Sequence, residues 1–208
     1  MHDPDICAVI LAGGKSSRMG SNKALLDFGG KPLIRVLVDR ILPVTDHILI
    51  SSNDSESYRF LNFPVVRDHY MGQGPLAGLH AAMRRDNCPL YVVLACDLPN
   101  LRASFLRKLI AFSRGFDAAI PRTRDGLAHP LCAVYRRTCF PAIEKALFRG
   151  ANKFIETFLL NALSIRWVDP DEGQFEDQDL ANINTPEDLQ KFRREMGEES
   201  GSNSICSS

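Results

Sequence analysis

This chain of 208 residues has no excess of either charge, with 25 lysines and arginines against 25 aspartates and glutamates. The balance gives no ground for a nucleic-acid or membrane-surface partner, which would call for a one-signed field. No apolar run approaches the roughly 20 residues of a membrane span, and no secretory leader is legible. The six cysteines (Cys7, Cys88, Cys96, Cys132, Cys139 and Cys206) include no C-x-x-C pair. Several lie in apolar runs, where cysteine serves as a small core residue. That pattern speaks against zinc and against a disulfide framework, and the expected compartment is a reducing cytoplasm. Two common nucleotide loops are missing too. A P-loop needs G-x-x-x-x-G-K-[ST], yet five residues separate Gly14 from Gly20 and Ser21 follows. Gly13, Gly14 and Gly20 do not fit the G-x-G-x-x-G dinucleotide fingerprint either.

What is present is a different glycine loop. Ile6-Cys7-Ala8-Val9-Ile10 reads as a buried strand and runs straight into Leu11-Ala12-Gly13-Gly14-Lys15-Ser16-Ser17-Arg18-Met19-Gly20-Ser21-Asn22-Lys23. Adjacent glycines allow a sharp turn and close backbone approach. Oriented amides with Lys15, Arg18 and Lys23 around them suit a polyphosphate. The string resembles the L-A-G-G-x-S-x-R-M-G-x-x-K signature of nucleotidyltransferases, which move a nucleoside monophosphate from a triphosphate onto a second phosphate.

Apolar runs alternate with amphipathic stretches, the pattern of an α/β fold: a Rossmann-like, mostly parallel mixed sheet with helices on both faces. Strands are expected at 48–50, 64–66, 90–95, 118–120, 131–135 and 165–168. Helices are expected at 33–42, 76–85, 104–112, 140–148 and 154–160, with a short hairpin across 25–32. Thr185-Pro186 starts a last helix, threonine as cap and proline in the first turn. One domain over 1–196 is expected, followed by a small, polar, disordered tail at 197–208.

Asp97 follows the buried strand ending at Ala95 and so faces the crevice outside the strand carboxyl ends, where ligands gather. Alone it also admits a lesser reading as a turn or capping aspartate; together with the glycine loop it reads as a Mg²⁺ ligand. Gly74, Pro75 and Gly78 lie in a second glycine-rich connection suited to close approach of a base or ribose. Asp68 is placed to accept from ribose or base N–H groups. Arg122 and Arg124 suit an acceptor phosphate, with His129 just beyond them. Asn182 and Asn184 are two apart on an extended segment and offer oxygens beside a metal. Each of these positions alone also reads as an ordinary turn or surface residue.

Taken together, 11–23, 29–33, 74–78, 96–99, 129–131 and 182–186 resemble the molybdenum cofactor guanylyltransferases, over nearly the whole chain apart from the tail. The resemblance implies GTP as donor, Mo-molybdopterin as acceptor and Mg²⁺ dependence, with molybdopterin-loading proteins and apo-molybdoenzymes as further partners. It implies that Leu11, Ala12, Gly13, Gly14, Lys23, Ser51, Asp68, Gly74, Pro75, Gly78 and Asp97 bind nucleotide. Lys23, Asp97 and Arg18 would be catalytic, and Asp97 would hold the metal. Asn22, His129, Asn182 and Asn184 would touch the acceptor or the metal. Ser51 stands where the family often has asparagine, and Asn22 where it commonly has aspartate. The rivals are CTP as donor, a different phosphorylated acceptor, or a non-catalytic adaptor that hands on the cofactor.

Overall fold

The structure is a computed structural model that describes residues 5–13, 22–183, 185 and 187–192. Among the described residues nine strands form: β1 Ile6–Leu11, β2 Asp27–Phe28, β3 Lys31–Pro32, β4 Ile48–Ser51, β5 Val65–Val66, β6 Leu90–Ala95, β7 Ala118–Pro121, β8 Cys132–Arg136 and β9 Ile165–Val168. The helices are α1 Leu33–Ile41, α2 Pro75–Arg85, α3 Ala103–Phe112, α4 Phe140–Phe148, α5 Phe154–Leu160 and the short α6 Pro170–Gly173. β2 and β3 make the expected hairpin. The other seven strands form one sheet in the order β5-β4-β1-β6-β8-β7-β9. β8 runs antiparallel to both neighbours, while the remaining pairs are parallel.

β1 is wholly buried because it lies mid-sheet with helices on both faces. Its residues alternate between two cores. Ile6, Ala8 and Ile10 join a layer with Ile34, Leu37, Val38 and Ile41 of α1 and Phe105, Leu106 and Leu109 of α3. Cys7, Val9 and Leu11 join the opposite layer with Leu76, Leu79 and Met83 of α2, Ile143 and Leu147 of α4 and Phe158 of α5. A third cluster of Phe28, Leu33, Ile183, Leu189 and Phe192 docks the chain's late segment on the hairpin. Thr185 caps the helix over 187–192: the Asp188 N–H donates to its Oγ1 at 3.1 Å, and its own N–H donates to Asp188 Oδ2 at 2.8 Å.

The expected strands and helices form within about one residue of their anticipated bounds, while the hairpin starts at Asp27 rather than Leu25 because Lys23–Leu25 forms a 3₁₀ turn. Besides the short 3₁₀ turns Lys23–Leu25 and Arg137–Cys139, three further short pieces carry no periodicity and escape a pattern reading. They are α6 and the 3₁₀ turns at Glu56–Leu61 and Asp177–Leu180. The tail from Gly197 lies outside the described residues. From β1 the chain moves to β4 and β5 on one side, then returns to β6 on the other. This reversal of strand order opens a crevice at the carboxyl ends of β1 and β6.

Candidate active site

Leu11 ends β1, paired with Ser51 on one side and Ala95 on the other. Two groups of residues therefore flank the same strand end. On the β4 side is a cavity of about 570 Å³ lined by Leu11, Gly13, Ser51, Asn53, Asp68, Gly72, Gly74, Pro75 and Gly78. The structure thus gathers six of the sequence-derived nucleotide residues with Ser51 around one space. Gly74 caps α2 at φ 69°, ψ −160°, a region open essentially to glycine. Gly78 is needed for a different reason. A Cβ built there would stand 2.4 Å from Ser51 Oγ and 2.7 Å from Leu11 Cδ2, so α2 can lie this close to β1 and β4 only without a side chain.

Ser51 carries a hydroxyl, which lies against Gly78, where an asparagine would carry an amide. Asn53, two residues later, supplies one: its Nδ2 donates to Asp68 Oδ2 at 3.0 Å, and the Asp68 N–H donates to Asn53 Oδ1 at 3.1 Å. Burial pushes the Asp68 carboxyl above its ordinary range, and the Asn53 hydrogen bond partly opposes this. Asn53 could have been found from its place just past the strand end in a polar turn.

On the β6 side stands Asp97, 8% exposed. Its Oδ1 accepts from Asn182 Nδ2 at 3.0 Å, and its Oδ2 lies 3.7 Å from Lys23 Nζ. The Asp97 backbone carbonyl accepts from the Ile183 N–H at 3.0 Å, pinning the Asn182 segment alongside. Burial raises the Asp97 pKa, with Lys23 and then its hydrogen bonds pulling it back. The neighbouring Cys96 thiol is pushed up to about 12, chiefly by burial and then by the Asp97 charge, so it stays protonated and is no nucleophile. Asn182 turns its amide nitrogen to Asp97. It thereby orients the carboxylate.

Asn22 departs from its reading as an acceptor or metal contact. Its Oδ1 accepts from the Ala24 N–H and caps the 3₁₀ turn Lys23–Leu25, and its Nδ2 donates to Tyr58 Oη at 2.8 Å. Tyr58, fully buried, also donates to the Ala12 carbonyl at 2.9 Å. The side chain is thus committed inward, where it sets the start of the turn that carries Lys23. Sequence gave no sign of Tyr58, because its partners lie 36 and 46 positions away.

His129 lines a further cavity of about 440 Å³ with Leu98, Pro130, Leu131 and Asn182. Its Nε2 is buried and finds no hydrogen-bond partner among the described residues. Burial holds its pKa below the ordinary value, so the ring is neutral. Arg122 and Arg124 do not face this space as free cations. Arg122 pairs with Asp169 at 2.6 Å and Arg124 with Asp171 at 2.9 Å, because the turn into α6 brings those acids alongside. The expected arginine clamp is absent among the described residues. Gly14, Lys15, Arg18 and Asn184 lie outside them.

Residues 8–163 match the family model of the MobA-like NTP transferase domain. A probable molybdenum cofactor guanylyltransferase of Carboxydothermus hydrogenoformans is 38% identical over 189 residues, covering 90% of this chain and 95% of that protein. The protein of the same description from Pelotomaculum thermopropionicum is 37% identical, covering 89% and 90%. Among solved structures, molybdopterin-guanine dinucleotide biosynthesis protein A from Archaeoglobus fulgidus superposes with a TM-score of 0.78 at 26% identity, covering 95% of this chain and 100% of that one.

Proposed function

Because the chain belongs to the MobA-like NTP transferase family, we propose that it is a molybdenum cofactor guanylyltransferase, moving GMP from GTP to the terminal phosphate of Mo-molybdopterin. The observation that carries the reading is the buried Asp97 carboxylate, held by Asn182 and facing Lys23 at the strand end it shares with the glycine-lined cavity. A binding adaptor would have no use for a carboxylate buried against its own solvation. In the reaction an acceptor phosphate oxygen bonds to the α-phosphorus of GTP, and the bond to the bridging oxygen of pyrophosphate breaks. A phosphate monoester has its second pKa near ~6, so the nucleophile is already ionised at neutral pH and no general base is required.

The chain's task is then to place two polyanions together and to steady the leaving charge. The cavity beneath Gly74 and Gly78 suits the base and ribose, with Asp68 as acceptor for guanine N–H groups or ribose hydroxyls. Lys23 offsets phosphate charge. Asp97 fits a hard cation: it is a carboxylate whose orientation is fixed by Asn182, and Mg²⁺ is commonly held by one or two carboxylates together with substrate phosphates. Bound there, Mg²⁺ would supply charge neutralisation across the phosphates. The unpaired His129 Nε2 suits the acceptor, offering a neutral imidazole in a partly apolar cavity. The same reading makes molybdopterin-loading proteins and apo-molybdoenzymes the partners and the cytoplasm the site of action. No helix among the described residues is long and apolar enough to cross a membrane.

The test is thermal-shift profiling with GTP, CTP, ATP and UTP, with and without Mg²⁺, followed by assay of GMP transfer to Mo-molybdopterin. Selective, Mg²⁺-enhanced stabilisation by GTP with formation of the dinucleotide cofactor is expected. Stabilisation by CTP alone would overturn the choice of donor.

A further inference from the structure

At the opposite edge of the sheet, the amino ends of three adjacent strands converge. Cys7 is the second residue of β1, His47 immediately precedes β4, and Cys88 lies just before β6. Each offers one ligand atom to a common space, and the three atoms lie within 4.8 Å of one another. His47 Nδ1 is 3.5 Å from Cys88 Sγ. A tetrahedral zinc, with Zn–S near 2.3 Å and Zn–N near 2.0–2.1 Å, sets its sulfur and nitrogen ligands about 3.5 Å apart.

The second nitrogen of the ring is also accounted for. His47 Nε2 lies 2.8 Å from Asp86 Oδ2. A proton on Nε2, donated to that carboxylate, leaves the Nδ1 lone pair directed at the thiols. This carboxylate–imidazole pairing is the arrangement that fixes the tautomer of metal-binding histidines. The backbone around the group is tied down at every corner. The Ala8 N–H donates to the His47 carbonyl at 2.9 Å, and the His47 N–H donates to Thr45 Oγ1, which itself donates to the Ile6 carbonyl. The Cys88 N–H donates to Tyr91 Oη, and Tyr91 in turn donates to the Asp86 carbonyl. Cys7 is fully buried and Cys88 nearly so, while the His47 side chain is 37% exposed and gives a path inward.

Packing of small apolar thiols explains Cys7 alone. It does not explain an imidazole pointed at those thiols and braced from behind by a carboxylate. We propose that Cys7, Cys88 and His47 form a zinc-class metal site at the amino edge of the sheet, with Asp86 orienting the imidazole and the fourth position open to water. On binding, each thiol releases its proton to solvent and the metal keeps its oxidation state. The ion would tie β1, β4 and β6 together at the end remote from the nucleotide cavity. Soft thiolates select against Mg²⁺, so the two sites would not compete.

Cobalt(II) titration of the full-length, reduced, chelator-stripped protein is the direct test. One equivalent should give a near-ultraviolet thiolate-to-cobalt charge-transfer band and intense visible bands of tetrahedral coordination, both displaced by zinc. Cys88→Ser and His47→Ala, checked for folding by circular dichroism, should lose or weaken these bands, whereas Cys206→Ser should keep them. Zinc at about a hundredfold over its Kd should raise the wild-type Tm by roughly 5–10 °C. The proposal is overturned if no charge-transfer band develops or if it persists at full intensity in Cys88→Ser. A Cys7–Cys88 disulfide that forms in place of metal uptake would overturn it equally.

Discussion

Asn182 donates its side-chain N–H to Asp97 across 85 positions of sequence, so the candidate metal carboxylate owes its orientation to a segment laid down after the whole sheet. Asp97→Asn keeps the shape and this hydrogen-bond geometry but removes the charge. GMP transfer should fall by about 10²–10³-fold or more, the scale of losing one electrostatic contact to the reacting phosphates, as measured by dinucleotide-cofactor formation. Full activity in that variant would refute the assignment.

The same variant should be no less stable at neutral pH, and more stable if Lys23 relaxes. Burial outweighs Lys23 and Asn182 and raises the Asp97 pKa on folding. A carboxyl raised in this way stabilises the fold fully below its unfolded titration and costs stability as pH climbs through the raised value. The advantage of Asp97→Asn over wild type should therefore shrink as pH falls from neutrality and vanish below the ordinary aspartate range. Denaturant titrations across pH check the sign.

Lys23→Ala should weaken Mg·GTP binding by about ten- to a hundredfold, the worth of one charge-assisted contact of ~1.5–3 kcal/mol. Calorimetric titration reads this directly. The melting temperature without nucleotide should fall as well, because the two side chains are only 19% and 12% exposed and the variant leaves the Asp97 carboxylate buried without its cation.

Gly78→Ala should destabilise by about 1–3 kcal/mol through overpacking against Ser51 and Leu11. Adding Ser51→Ala removes the nearer clash and should restore part of the loss. A double-mutant cycle in urea would show that coupling, whereas strict additivity would place the strain elsewhere.

Arg102 grips Asp179 with Nε 2.9 Å from Oδ1 and a second contact of 2.5 Å from Nη2 to Oδ2. Asp179 is 5% exposed. Arg102→Ala leaves that carboxylate buried without its cation and should cost about 2–4 kcal/mol, somewhat under the usual figure for a fully buried pair because Arg102 is half exposed. The 3₁₀ turn Asp177–Leu180 leads directly to Asn182, so GMP transfer should fall further than the stability loss alone explains.

The parts legible in sequence were those encoded locally. β1, the hairpin, the Pro75 start of α2 and Asp97 past the end of β6 each announce themselves within a dozen residues. The misjudged parts were decided by contacts from elsewhere in the chain. Arg122 and Arg124 look like an anion clamp until Asp169 and Asp171 fold against them. Asn22 looks like a ligand contact until Tyr58 claims it, and the pocket's amide comes from Asn53 instead of position 51. Cys7, His47 and Cys88 have no spacing that betrays them, because only the adjacency of three parallel strands brings them together.

Synthesis from the amino end gives this architecture a built-in order of events. β1, β4, β5 and α2 can associate while later residues are still being added, so a nascent chain can shape the nucleotide cavity early. Asp97 acquires its steadying amide only when the stretch beyond β9 swings back and Ile183 hooks onto the Asp97 carbonyl. Chains truncated before Asn182 should therefore hold a nucleotide they are poorly equipped to turn over.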